Sequence, residues 1–274
     1  PNKCPANYRL DKTENLPLTI GVSGNVIKVY YVKNVFTLTI RYHYAEGGKA
    51  AEDHVASGLV QGTAYNVTSP VISGYTMDKP SVSGEMPAQD VIETVTYTKR
   101  SDLSYTVNYY WNGTTEKVLE SKNVDGKTFQ ESVTESPVTI EGYTPVRNDT
   151  ATITIGVENN VINFYYYKNV ELTANSKTEP FDNTEKSVSG FTGAPEDADF
   201  TAITVGAKGT SAGEYPAKFP EHTVGTVDAT AKYIVVEANP GALVITAHAG
   251  EVVVMIRGNS DTKVYDGTEY TVTG

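Results

Sequence analysis

Apolar and polar residues alternate with a period of two along most of this chain. In VIKVYYV (26–32), Ile27, Val29 and Tyr31 share one face and Val26, Lys28, Tyr30 and Val32 the other. VINFYYY (161–167) keeps that parity, with Asn163 where the first run has Lys28. Period-two patterning with β-branched and aromatic residues predicts strands. The same reasoning predicts strands at TLTIRYHY, YTVNYYW, ETVTYTK, ATITIGV, TAITVGAK, AKYIVVEA, ALVITA and EVVVMI. Asn112-Gly113, Gly47-Gly48, Asp125-Gly126, Asn159-Asn160, Pro240-Gly241 and Asp266-Gly267 predict the turns between strands. The one helical candidate, EGGKAAEDHVASG (46–58), is Ala-rich but short and broken by glycine. The expected fold class is all-β or β-dominated.

The strands recur as blocks. Residues 7–34 match 142–169 at a constant offset of 135, pairing Gly21 with Gly156, Val26 with Val161, Tyr30 with Tyr165 and Lys33 with Lys168. A further copy lies between them. TIRYHY (39–44) resembles TVNYYW (106–111) at an offset of 67, and SPVISGYT (69–76) resembles SPVTIEGYT (136–144). Gly62 and Tyr65 pair loosely with Gly126 and Phe129. A second repeat type pairs 170–190 with 254–274 at an offset of 84, including Asp182 with Asp266, Thr184 with Thr268 and Gly190 with Gly274. The expected organisation is an elongated tandem array of small modules. Its parts are the end of a module at 1–34, modules at 35–100 and 101–169, a second-type module at 170–253 and the start of another at 254–274. Both ends fall inside repeats, so the sequence reads as a piece of a longer array.

Composition narrows the function classes. Four histidines at scattered positions and one cysteine give no metal-ligand spacing and no disulfide framework, so no metal and no cofactor are expected. A formal net charge of −11 argues against nucleic acid or an anionic membrane as the main partner. No apolar run approaches the roughly 20 residues of a membrane helix. The chain has 19 Tyr against 7 Phe, and repeat-matched pairs such as Tyr30/Tyr165 and Tyr75/Tyr143 assign most of them an architectural role. A ring that packs while its hydroxyl stays wet suits a small module with a high surface-to-volume ratio.

The pattern of a TVNYYW-like strand, Gly126-Lys127-Thr128-Phe129, Gly142-Tyr143-Thr144 and the closing Tyr165 to Lys168 carries a family resemblance. In the preceding copy it is Gly62, Tyr65, Gly74-Tyr75-Thr76 and Tyr97 to Lys99. Residues 1–169 resemble the mucin-binding-protein repeats and related β-grasp-like repeats of Gram-positive surface adhesins. Residues 170–274 resemble a second repeat type of bacterial surface proteins. The resemblance implies β-grasp-like or β-sandwich-like modules, extracellular display at the cell surface or cell wall, and no enzymatic activity. It further implies a monomeric stalk that binds host mucin or other glycans weakly and many times over. An alternative is a spacer of a secreted carbohydrate-active enzyme.

GTSAG (209–213) fits the nucleophile-elbow pattern, but EYPAKF after it reads as strand where the elbow needs a helix, so no catalytic residue is expected. Lys33-Asn34 and Lys168-Asn169 recur as markers of a module boundary. Adjacent strand residues face opposite ways, which prevents a Lys–Asn cross-link within either pair. Exposed aromatic strands can stack on the C–H faces of sugars. The candidate ligand face is Tyr109, Trp111 and Asn112, with Tyr42 and Tyr44 at the equivalent places of the preceding copy.

Overall fold

The computed structural model describes residues 4–248, 250 and 255–272, in two compact units. The first holds residues up to 141 and 145–166; the second holds 142–144 and the residues from 167 onward. Among the described residues every regular element is a strand.

In the first unit, β1 (Tyr8–Glu14) and β2 (Lys28–Lys33) form an antiparallel pair. The next six strands build one repeat: β3 (Val35–Tyr44), β4 (Lys49–Val60), β5 (Ala64–Thr68), β6 (Tyr75–Met77), β7 (Ser81–Glu85) and β8 (Val91–Lys99). Alternation puts Leu38, Ile40 and Tyr42 of β3 on the face that Val95 and Tyr97 of β8 share, all essentially buried. The sheet order is β4-β3-β8-β6, with β3 and β8 parallel, and β5 and β7 form a small second layer. Val82 of β7 joins the buried cluster with Met86. Parallel first and last strands in the middle of a mixed sheet are the β-grasp arrangement, here with the β5/β7 strand pair in place of the helix. Most of the Ala-rich helical candidate 46–58 lies in strand β4, entered through Gly47 and Gly48 at φ +103° and +89°. Two successive left-handed residues close a hairpin, and helix nucleation cannot compete with a twelve-residue strand laddered onto β3.

The following strands repeat the plan: β9 (Leu103–Trp111), β10 (Lys117–Lys127), β11 (Ser132–Glu135), β12 (Tyr143–Pro145), β13 (Ala151–Thr154) and β14 (Val161–Ala174). The order is β10-β9-β14-β12, β9 is parallel to β14, and β11 pairs with β13. The expected Asp125-Gly126 turn is instead a bulge inside β10, with Gly126 at φ +71°. Its counterpart in the first repeat is Gly58 at φ +79°, where β4 slips against β3. Gly62 is therefore not the partner of Gly126.

Three further recurrences explain residue choices that the sequence repeats. The residue at the foot of the GYT stretch is left-handed each time: Asn7 at φ +68°, Gly74 at +85° and Gly142 at +76°. Its carbonyl accepts the N–H of the residue just beyond the closing strand: Asn34 for Asn7, Arg100 for Gly74 and Asn169 for Gly142, at 2.8–2.9 Å. Asparagine tolerates that conformation where other side-chain-bearing residues are strained. The closing-strand tyrosines also serve a shared purpose. The Tyr97 hydroxyl donates to the Pro70 carbonyl at 2.6 Å, and Tyr166 donates to the Val138 carbonyl at 2.9 Å while accepting the Val138 N–H at 3.0 Å. Both rings are fully buried, so phenylalanine would fill the space but strand the loop's polar groups. Tyr166→Phe is expected to lower stability by about 1–3 kcal/mol, read as a lower urea midpoint with unchanged slope.

In the second unit, residues 168–173 of β14 pair in parallel with β20 (Tyr233–Asn239). Between them run β15 (Lys177–Pro180), β16 (Lys186–Ser189), β17 (Phe191–Thr192), β18 (Gly206–Gly209) and β19 (Gly213–Ala217). β15 pairs in parallel with β21 (Gly241–Thr246), β19 lies antiparallel on its other edge, and β16 pairs with β18. Leu243, Ile245, Ala174, Val188 and Ala217 form the core. Of the expected TAITVGAK strand, only the last part is strand, in β18. Most of the expected EVVVMI strand, and Gly274 of the Gly190/Gly274 match, lie outside the described residues. Residues 255–272 form no strand. They share a local feature with the preceding module: Thr268 N–H and Oγ1 donate to Asp266 Oδ1 at 3.0 and 2.6 Å, as Thr184 does to Asp182 at 3.0 and 2.5 Å. The Lys186 ammonium and Thr184 hold the Asp182 carboxyl down at about 2.

Candidate functional site

Alternation along the parallel pair β9/β14 creates an inner and an outer face. Inward, Tyr109 stacks on Phe164 at 6.2 Å and meets Tyr166 at 6.4 Å. Outward, the parallel register sets Thr106 beside Val161, Asn108 beside Asn163 and Tyr110 beside Tyr165. Tyr110 and Tyr165 stack with ring centres 5.9 Å apart and planes 29° apart, and Tyr165 is 43% exposed.

A chain of polar bonds holds this outer face. Asn108 Nδ2 donates to Asn163 Oδ1 at 3.0 Å, and Ser121 Oγ donates to Asn108 Oδ1 at 2.7 Å. Lys117 Nζ in turn donates to Ser121 Oγ at 2.6 Å. Two depressions flank the tyrosine pair. One, of about 250 Å³, lies against the loop after β12 and is lined by Asn112, Arg147, Asp149, Asn163 and Tyr165 among others. The other, of about 310 Å³, is lined by Tyr110, Thr114, Thr115, Asn163 and Tyr165. Asn163 and Tyr165 line both. The result is an aromatic platform edged by amides, hydroxyls and one charge of each sign. It has the parts to hold a polar ligand with an apolar face.

The predicted ligand residues separate in the structure. Tyr42 and Tyr109 are 2% and 3% exposed and belong to the two cores. A ring covered on both sides has no face left for a sugar, so these two are corrected from ligand contacts to core residues. Tyr44 is half-buried and packs on Tyr75 at 4.6 Å. Trp111 is half-buried where β9 enters its turn, and Asn112 lines the first depression. The residues that sequence reasoning missed are Tyr110, Asn163 and Tyr165. Parity already set Tyr110 opposite Tyr109, and Tyr165 was visible as a repeated tyrosine. In the first repeat the corresponding outer pair is His43 and Thr96, so the stacked tyrosines belong to 101–169 and not to 35–100.

Elsewhere, Ser211 sits in a turn between strands β18 and β19, and its carbonyl accepts the Tyr215 hydroxyl at 3.0 Å. The strand-to-helix turn of a nucleophile elbow is not formed there. Among the described residues no three His, Cys, Asp or Glu side chains gather as metal ligands.

Two other tyrosines are chemically distinctive. Tyr105 donates to Glu135 at 2.6 Å, and that carboxylate together with burial pushes its hydroxyl up to about 12. Burial and a 2.6 Å bond to Asp197 push Tyr233 to about 12 as well. Raised folded-state values mean their stabilising contribution is intact below about pH 10, the unfolded value, and is lost as pH rises through 12. An absorbance titration at 295 nm should find about one fewer tyrosine still protonated at pH 11 in Tyr105→Phe than in the parent.

Comparison with known proteins adds the following. Residues 37–98, which hold most of the first repeat, match the MucBP domain. Over 201 residues, 72% of this chain, it is 28% identical to Internalin I of Listeria monocytogenes serotype 4b strain F2365. It is 26% identical over 201 residues to Internalin I of serovar 1/2a strain EGD-e. The matched region spans 10% of the length of each of these relatives. Among solved structures, the chain is similar to Mub-RV (17% identity, TM-score 0.22, 34% of this chain and 76% of that one). It is also similar to the Bacillus anthracis TIE protein (10% identity, TM-score 0.38, 82% and 55%).

Proposed function

We propose that this chain is a non-enzymatic repeat region of a Gram-positive surface adhesin, displayed outside the cell and attached to its wall. The observation that carries this reading is the MucBP match over 37–98, on a strand plan that 101–169 repeats. Its repeats act as a stalk, and 101–169 adds a weak glycan contact. Tyr110 and Tyr165 stack against the C–H face of a sugar, while Asn163 and Asn112 bond its hydroxyls. Mucin glycans are the ligand class that the MucBP resemblance suggests. One such contact is weak, and copies along an array or across a cell surface multiply it into avidity.

The test is a glycan array probed with the full chain at high surface density, alongside Tyr165→Ala, Tyr110→Ala and Trp111→Ala. Density-dependent binding that falls at least tenfold in Tyr165→Ala, and less in Trp111→Ala, is the expected result. Binding unaffected by Tyr110→Ala and Tyr165→Ala, or no binding at any density, removes the glycan contact and leaves a stalk alone.

A further inference from the structure

The strand order has a consequence for load. In 35–100 the first strand, β3, and the last, β8, lie side by side and parallel through seven residue pairs, from Leu38↔Val91 to Tyr44↔Tyr97. In 101–169 the first and last strands, β9 and β14, do the same through six pairs, from Val161↔Thr106 to Tyr166↔Trp111. The second-type module has an unrelated strand plan, yet it also closes its beginning onto its end in parallel. Residues 168–173 of β14 pair with β20, and β15 pairs with β21. In a parallel terminal pair the chain enters at one end of the ladder and leaves at the other. Tension along the chain then pulls the two strands past each other, and the ladder bonds must fail together. The pair β1/β2 has the opposite geometry. It is antiparallel with Tyr8 opposite Lys33, so tension opens it from one end, one bond at a time.

We propose that each of these three modules is a mechanical clamp, built to stay folded while the chain carries tensile load. Side chains reinforce the clamps across the sheared pair. In 101–169 the Asn108–Asn163 bond and the Tyr110/Tyr165 stack tie β9 to β14 on the outer face, and Tyr109/Phe164 does so on the inner face. In 35–100 Tyr42 meets Tyr97 edge-on at 6.4 Å. Sharing of load between parallel strands needs no ligand, so this function extends the stalk reading and rests on it alone.

Single-molecule force spectroscopy of the full chain, held at its two ends, tests the proposal. The β1/β2 hairpin should open first at low force. Three abrupt high-force events should follow, with the 35–99 module adding about 20 nm of contour at ~3.6 Å per residue. A pulling-direction control separates clamp geometry from plain stability. In the Cys4→Ser background, Val35→Cys with Lys99→Cys loads β3 against β8 in shear. Val35→Cys with Val60→Cys peels β4 from β3, because Val35 and Val60 are paired at one end of that ladder. Matching urea midpoints for the two variants establish that both are equally folded. The expected result is a several-fold higher unfolding force in shear. Equal forces in the two directions, or modules that yield as easily as the β1/β2 hairpin, overturn the clamp. Either outcome is independent of the glycan array, whose failure would leave the clamp standing.

Discussion

Replacing Asp228 with alanine is expected to destabilise the second unit by about 3–5 kcal/mol, the range for breaking a buried, bonded charge. Asp228 is 3% exposed and its carboxylate organises a whole turn. Oδ1 accepts the N–H groups of Lys232 and Tyr233, both at 2.8 Å. Oδ2 accepts the N–H groups of Thr230 at 3.0 Å and Asp199 at 3.3 Å, and the Thr230 hydroxyl. Alanine removes the acceptor and leaves those donors facing a small apolar gap. The turn feeds directly into β20, whose parallel pairing with β14 begins at Tyr233, so the loss reaches the sheet. Burial alone would raise the carboxyl, but the bonds from Thr230, Tyr233, Lys232 and Asp199 outweigh it and hold it below the ordinary range. A depressed folded-state value means the stabilisation is full above the unfolded value near 4. It is lost as pH falls through the folded value. The stability difference between the parent and Asp228→Asn should therefore be constant from pH 5 to 8 and shrink below about pH 4. Urea unfolding followed across that range checks both parts. A difference that grows on acidification would show that the carboxylate is not the stabilising form.

Gly74→Ala is expected to lower the stability of the first unit by about 3 kcal/mol or more, combining a left-handed conformation with overpacking. Gly74 sits at φ +85°, and a Cβ there would lie 2.4 Å from the Phe129 ring. Phe129 belongs to the next repeat, and its N–H donates to the Arg100 carbonyl at 2.8 Å while Arg100 N–H donates to the Gly74 carbonyl at 2.9 Å. Its ring also meets Tyr75 edge-on at 5.6 Å, and Tyr75 meets Tyr44. The glycine thus serves two purposes, a turn and a seat for the neighbouring repeat, and a double-mutant cycle separates them. In a Phe129→Ala background, Gly74→Ala should cost only the conformational part, roughly 1–2 kcal/mol. If Gly74→Ala costs the same with and without the Phe129 ring, the aromatic contact between the repeats is not a constraint on this position. Gly142 repeats the left-handed turn at φ +76°, and a Cβ there meets nothing within 4 Å. Gly142→Ala should show the conformational cost without the clash.

That contrast marks where sequence comparison was misleading. Matching Gly62/Tyr65 with Gly126/Phe129 made the two aromatics look equivalent. Tyr65 instead lies in β5 over Gly84 of its own repeat, whereas Phe129 reaches the preceding repeat. Short aligned motifs carry identity but not the direction in which a side chain leaves the backbone. The burial of Tyr42 and Tyr109 escapes the sequence for a related reason. YTVNYYW is aromatic on both parities, so alternation separated Tyr109 from Tyr110 without saying which would be covered. Tyr105, of the same parity as Tyr109, donates to Glu135 of β11, which puts β11 on the inward face.

The sequence by itself determined what depends on nearest neighbours and on repetition. It determined all-β structure, two repeat types and most strand positions. It also determined the Asp-x-Thr turns, which form at 182–184 within a paired module and at 266–268 among residues that make no strand. Such a turn closes within three residues and needs no partner. Tertiary structure alone decided which face of β9 and β14 is buried. It also made Ala-rich 49–60 a strand, seated Phe129 on Gly74, and set first and last strands in parallel. The strand at 49–60 depends on a hairpin partner 6–25 residues away, and the others on contacts between residues about 50 or more apart or on a second layer covering one face. A period-two pattern is satisfied equally well by either face and either neighbour.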